Sequence, residues 1–153
     1  MMKTMSSWKR VTFAPIGATL ALLCSQASAE TAYFSFVSTA GVRTAPHEFV
    51  FAVDDAATIA KLREIVINAG DIAPNNQRIA GQIAIHRVDY NAEWPFHLIP
   101  STVRLTLGND NETCDATPFM VEDNLQLVGQ DFLPGAIWCP WSMRIVREVA
   151  PPR

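Results

Sequence analysis

A mixed α+β fold is the expectation, and three features of the sequence carry it. Short runs of β-branched and aromatic residues alternate apolar and polar positions, the pattern of half-buried strands. Two other stretches repeat apolar residues at helical spacing behind a capping side chain. The order of these elements, β-β-α-β-β-α-β, fits a largely antiparallel sheet of about five strands with two helices packed on one face.

Tyr33 to Val37 makes the first strand and Glu48 to Val53 a second, buried one, with a loop from Val42 to Pro46 between them. Asp54 or Asp55 then caps a helix, since a carboxylate accepts the free amide hydrogens of a first turn and opposes the dipole. Ile59, Leu62, Ile65 and Val66 form its inner stripe, and Gly70 is placed to end it. After a loop through Pro74-Asn75-Asn76, Ile79, Gly81, Ile83 and Ile85 alternate with Ala80, Gln82, Ala84 and His86 as a third strand. Tyr90 to Ser101, with two prolines, is irregular. Val103, Leu105 and Leu107 mark a fourth strand ending at Gly108-Asn109-Asp110. Thr117-Pro118 starts the second helix, because threonine caps and proline needs no amide partner at the first helical position. Val121, Leu125 and Val128 are its stripe and Gly129 its end; Leu133-Pro134-Gly135 turns the chain, and Met143 to Val149 is the last strand.

The first 29 residues have the layout of a cleaved secretory signal. Lys3, Lys9 and Arg10 form a basic start, Val11 to Leu23 an apolar run, and Ala27-Ser28-Ala29 a small-x-small cleavage pattern. The run is too short and interrupted to span a bilayer, and Leu23 before Cys24 does not suit a lipoprotein signal. Residues 30–153 then form one domain, secreted or periplasmic and clear of the membrane once cleaved. That part keeps nine basic against fifteen acidic residues, a net of −6. An acidic surface of this kind argues against nucleic-acid binding, which draws its affinity from cations that displace phosphate counterions.

Cys114 and Cys139 are the two cysteines left in the exported part, so an oxidising compartment allows them one intramolecular bond. Closing a 25-residue separation removes denatured-state entropy worth about 3.5 kcal/mol. There is no CxxC for a redox pair and no neighbouring His or Cys to complete a zinc set.

Residue types suited to recognition concentrate from Tyr90 to Trp141. Trp94, Trp138 and Trp141 either pack as core around the disulfide or present rings to a sugar or a partner. His86, Asp89, Glu93 and His97 do not make a metal site by spacing, because Pro95 prevents a helix that would align Glu93 with His97. No metal and no cofactor is expected. GxSxG is absent; Glu112 and Asp115 beside Cys114 are the carboxylates suited to acid/base work if buried together. Asn111-Glu112-Thr113 matches a glycosylation triplet.

Tyr90-Asn91-x-x-Trp94-x-x-His97-x-x-Pro100, Glu112-x-Cys114-Asp115-Ala116, Val121-Glu122-Asp123, Leu133-Pro134-Gly135 and Trp138-Cys139-Pro140-Trp141 occur in that order. Together they resemble the domain family named for the calmodulin-binding protein BP-seventy-four, over roughly residues 33–149. The resemblance implies a small α+β domain, often secreted, with no established catalysis. Ile99 stands where the family pattern leads one to expect aspartate, so no carboxylate role is carried over there. Calmodulin binding is not carried over either, as it calls for a basic amphipathic segment.

The expectation is thus a secreted or periplasmic, non-catalytic binding or interaction domain. Tyr90, Asn91, Trp94 and His97, with Glu112 and Asp115, are its candidate ligand-binding residues, braced by the Cys114–Cys139 bond. The ligand would be a protein, a small molecule or a glycan. Two alternatives stand beside it: a small hydrolase using Glu112 and Asp115 with His97, and an inhibitor or effector that inserts the 129–136 loop into a partner.

Overall fold

The structure is a computed structural model that describes residues 30–38, 47–68, 77–107 and 112–152. The signal segment, the Val42–Pro46 loop, Gly70, the Pro74-Asn75-Asn76 loop, the Gly108-Asn109-Asp110 turn and Asn111 lie outside the described residues.

The architecture is α+β. In chain order it runs β1 (Ala32–Ser38), β2 (Phe49–Val53), α1 (Ala56–Ile67), β3 (Gln77–Ala84), β4 (His97–Leu98) and β5 (Arg104–Leu107). Then follow α2 (Pro118–Asp123), β6 (Val128–Gly129), β7 (Phe132–Pro134), β8 (Ile137–Trp138) and β9 (Met143–Val149). The five longer strands do not share one sheet, as the element order suggests they would. β1 lies between β2 and β9 in an antiparallel three-stranded sheet, while β3 pairs with β4, β5 and β8 in a second one. β6 and β7 add a short parallel pair. One reason is local: the Val50 amide in β2 donates to the Asn91 side chain (3.0 Å), so a loop residue and not a strand takes that edge position.

Both helices begin as the sequence implies. The Asp55 carboxylate accepts the Thr58 amide at 2.7 Å, and these contacts hold its carboxyl below the usual range. The helix buries Thr58, Ile59 and Leu62 and is closed by Asn68, whose side chain donates to the Glu64 carbonyl. Thr117 caps α2 with Pro118 in its first turn. This helix ends at Asp123, well before Gly129. Asn124 turns its amide side chain back onto the Met120 carbonyl (2.8 Å), and a 3-10 turn at Leu125–Leu127 follows.

The core is dense in aromatic rings. Phe34, Phe36, Phe49, Phe51, Phe96 and Trp138 are all fully buried, and Phe36 stacks on Phe49 with centroids 5.0 Å apart. Gly81 in β3 permits this packing: a Cβ there would sit 3.2 Å from the Leu98 side chain and 3.4 Å from those of Thr102 and Val103. The isoleucine face of β3 persists through Ile79 and Ile83, but Ile85 lies past the strand end and is exposed. The Leu133-Pro134-Gly135 turn forms as expected, with proline second and Gly135 third at φ +67°, closed by the Ala136 amide on the Leu133 carbonyl.

Candidate functional site

The loop from Ile85 to Phe96 leaves β3, crosses the outer edge of β2 and returns as β4. Asn91 is its fastener. This residue is buried, accepts from Val50 through Oδ1 and donates through Nδ2 to the Phe96 carbonyl at 3.3 Å. The backbone there is a 3-10 turn over Asp89–Asn91, continued by the Trp94 amide on the Asn91 carbonyl.

Trp94 is not displayed. Only 3 % of it is accessible, and its ring packs between Phe49, Phe96 and Phe119 with centroids 5.9, 5.9 and 5.1 Å away. Its indole N–H donates to the Glu48 carbonyl (3.3 Å). This corrects the expectation of a tryptophan platform on the loop: the β2 phenylalanine and the helix α2 phenylalanine supply an apolar slot, and burial of so large a ring outweighs its exposure. Trp138 is buried as well, its N–H bonded to the Ala116 carbonyl (2.9 Å).

His97 on β4 is 6 % accessible. Its Nδ1 lies 3.1 Å from the His86 carbonyl, and its ring stands edge-on to the His86 ring at 4.4 Å and to Tyr90 at 6.3 Å. A carbonyl can only accept, so the contact places the proton on Nδ1. Burial pushes the imidazole below its ordinary value; the bond to the His86 carbonyl opposes this and the His86 ring adds to it. Tyr90 is half-buried against Tyr33, with centroids 5.1 Å apart. Its hydroxyl is pushed up to about 12, first by burial and then by Tyr33 and Asp54.

Glu112 and Asp115 belong to the segment held by the disulfide. Glu112 opens a 3-10 turn that ends at Cys114, and an Asp115 oxygen accepts the Trp141 amide at 2.8 Å. Cys114 and Cys139 are bonded, with their Cα atoms 5.2 Å apart, and pack with Ala80 of β3. His97 pairs with Ala84, four positions further along the same strand, a distance of about 13 Å. His97 and the Glu112–Asp115 segment therefore do not converge. In the 129–136 loop, Leu133 is buried in the core and not free to insert into a partner.

What the fold does assemble is an open recess of about 420 Å3, lined by His47, Glu48, Val50, Tyr90, Asn91, Ala92, Glu93 and Arg147. Two of these, Tyr90 and Asn91, are candidates from the sequence; Glu48, His47 and Arg147 are not. Arg147 on β9 bonds both oxygens of Glu48 (2.8 and 3.4 Å) and holds that carboxyl below its usual range. His47 faces Glu93 with N and O 3.7 Å apart. The register sets Ser35 of β1 directly opposite both Val50 and Arg147, so its side chain projects toward the face that carries the recess. No pattern within one segment could have revealed this grouping, because it draws on β2, the loop and β9. A second recess, about 320 Å3, lies by the disulfide and is lined by Ala80, Arg104, Thr113, Cys114, Pro134, Ile137 and Cys139.

Among the described residues no helix is long and apolar enough to cross a membrane, and no group of three or more His, Cys, Asp or Glu residues is arranged to hold a metal. No curated protein and no solved structure matches the chain. A family model does, over residues 30–152, and those limits cover every element described above as well as the ordered motifs from Tyr90 onward. The chain belongs to the BP-seventy-four N-terminal domain family.

Proposed function

We propose that this chain is an exported, non-catalytic binding domain whose contact site is the recess formed by β2, the Tyr90–Glu93 turn and β9. One observation supports it above the others: separate elements bring an acid–guanidinium pair, an acid–imidazole pair and a tyrosine to one open cavity of about 420 Å3. Such a lining offers both hydrogen-bond donors and acceptors to a polar ligand, a glycan or a polar segment of a protein. The disulfide ties Cys114 to Cys139, and the signal-like first 29 residues provide the route to an oxidising compartment.

The test uses exported protein, whose mass should correspond to a chain beginning at Glu30. Glycan and peptide arrays are probed with the oxidised domain and with two variants. Ala92→Trp fills the recess from an exposed position, and Gln126→Lys alters an exposed position on the 3-10 turn after α2. Capture lost in the first, kept in the second, with both melting like the parent, supports the reading. Capture indifferent to Ala92→Trp overturns it.

A further inference from the structure

We propose that the recess is acid-gated: protonation of His97, packed against His86, unfastens the 89–97 wall, so the recess holds its ligand near neutral pH and releases it in acid. What is held rests on the binding reading above, whereas the gate is a property of the fold.

The geometry admits only one neutral form comfortably. With Nδ1–H given to the His86 carbonyl, a second proton must go to Nε2, which makes a cation of a ring only 6 % accessible and edge-on to a second imidazole 4.4 Å away. The His86 carbonyl, which keeps its bond to Nδ1–H in the charged form, offers partial compensation, outweighed by burial and the facing ring. From the segment after β3, His86 contributes its ring and carbonyl, and neighbouring Arg87 places its guanidinium on the Ala92 carbonyl at 2.6 Å. From the 3-10 turn comes Tyr90, whose phenol stays neutral across the relevant range. Behind Tyr90 stand Tyr33 of β1 and Asp54, whose carboxylate accepts the Thr31 hydroxyl. Among the described residues no carboxylate is paired with His97.

The consequence reaches the recess through short links. Phe96, beside His97, accepts from Asn91; Asn91 in turn accepts from Val50, and Tyr90 leans on the His97 ring. Asn91, Val50 and Tyr90 all line the recess. The sign follows from linkage. A folded-state value below the ordinary His value of about 6.5 means that the opened state binds the proton more readily, so closure is favoured above that pH and lost as pH falls toward the folded value.

Hydrogen exchange of the isolated oxidised domain, corrected for intrinsic rates, tests this without any ligand. Opening at the Val50 amide and across 89–97 is expected to rise as the pH falls from 7.5 to 5.0, because the opened state binds the proton more readily. The α1 amides are expected to change far less. His97→Asn keeps an N–H near the Nδ1 position and cannot titrate, and it should flatten the profile; His86→Ala removes the facing ring and should weaken the pH dependence. NMR titration of the His97 ring gives the parent value directly. A His97 that titrates at or above the ordinary value, or an opening that persists unchanged in His97→Asn, overturns the proposal. Should His97→Asn not fold, the ring titration and His86→Ala decide. An acid-opened wall with a recess that captures nothing would sink the binding reading and leave the gate standing.

Discussion

Replacing Trp94 by alanine separates a structural ring from a displayed one more sharply than any other single change. The indole is 3 % accessible and bounded by Phe49, Phe96 and Phe119. A side chain of this kind buries about 150–250 Å2, worth at most about 4–6 kcal/mol at about 25 cal/mol per Å2. Truncations of large buried aromatics cost about 3–5 kcal/mol, the expected loss here. In a domain of this size that corresponds to a fall in melting temperature of about 12–20 °C. A companion change, Trp94→Phe, retains most of the ring contact but leaves the Glu48 carbonyl without its indole donor. It should cost about 1–2 kcal/mol. Urea denaturation followed by far-UV circular dichroism, with all three proteins oxidised, gives both differences. A Trp94→Ala midpoint within about 1 kcal/mol of the parent would refute the core placement and return the ring to the contact surface.

Two further outcomes follow from the same structure. Cys139→Ser removes the bond that ties the α2 end of the chain to the start of β9; it should cost about 2–5 kcal/mol, read as a shift in denaturant midpoint between oxidised parent and variant. Equal midpoints would show that the bond does not constrain the unfolded chain. Asn91→Ala strands the Val50 amide and the Phe96 carbonyl, and a loss of about 1–3 kcal/mol with faster exchange at Val50 is expected. An unaltered Val50 exchange rate would mean that Asn91 is not the fastener of the loop.

Sequence alone determined the features whose physics is local. Caps at Asp55 and Thr117, the helix stripe at Ile59 and Leu62, the turn at Leu133-Pro134-Gly135 and the pairing of Cys114 with Cys139 each depend on neighbouring residues or on simple counting. Family membership was legible for a related reason, since the ordered motifs from Tyr90 onward survive without reference to contacts. Tertiary structure decided what depends on partners distant in the chain. Whether Trp94 faces water or core turns on Phe49 and Phe119, which lie 45 positions before it and 25 after it. In sequence, Asn91 reads as a surface residue because its amide could as readily bond water; only the edge of β2 gives it a buried amide to accept. The splitting of the strands into two sheets has the same origin, for period-two alternation specifies that a strand has two faces but not which strand lies beside it. Likewise the recess brings Val50 and Arg147 together through their common register partner Ser35, and the Tyr90 turn joins them through the Val50–Asn91 bond; no single segment contains either relation.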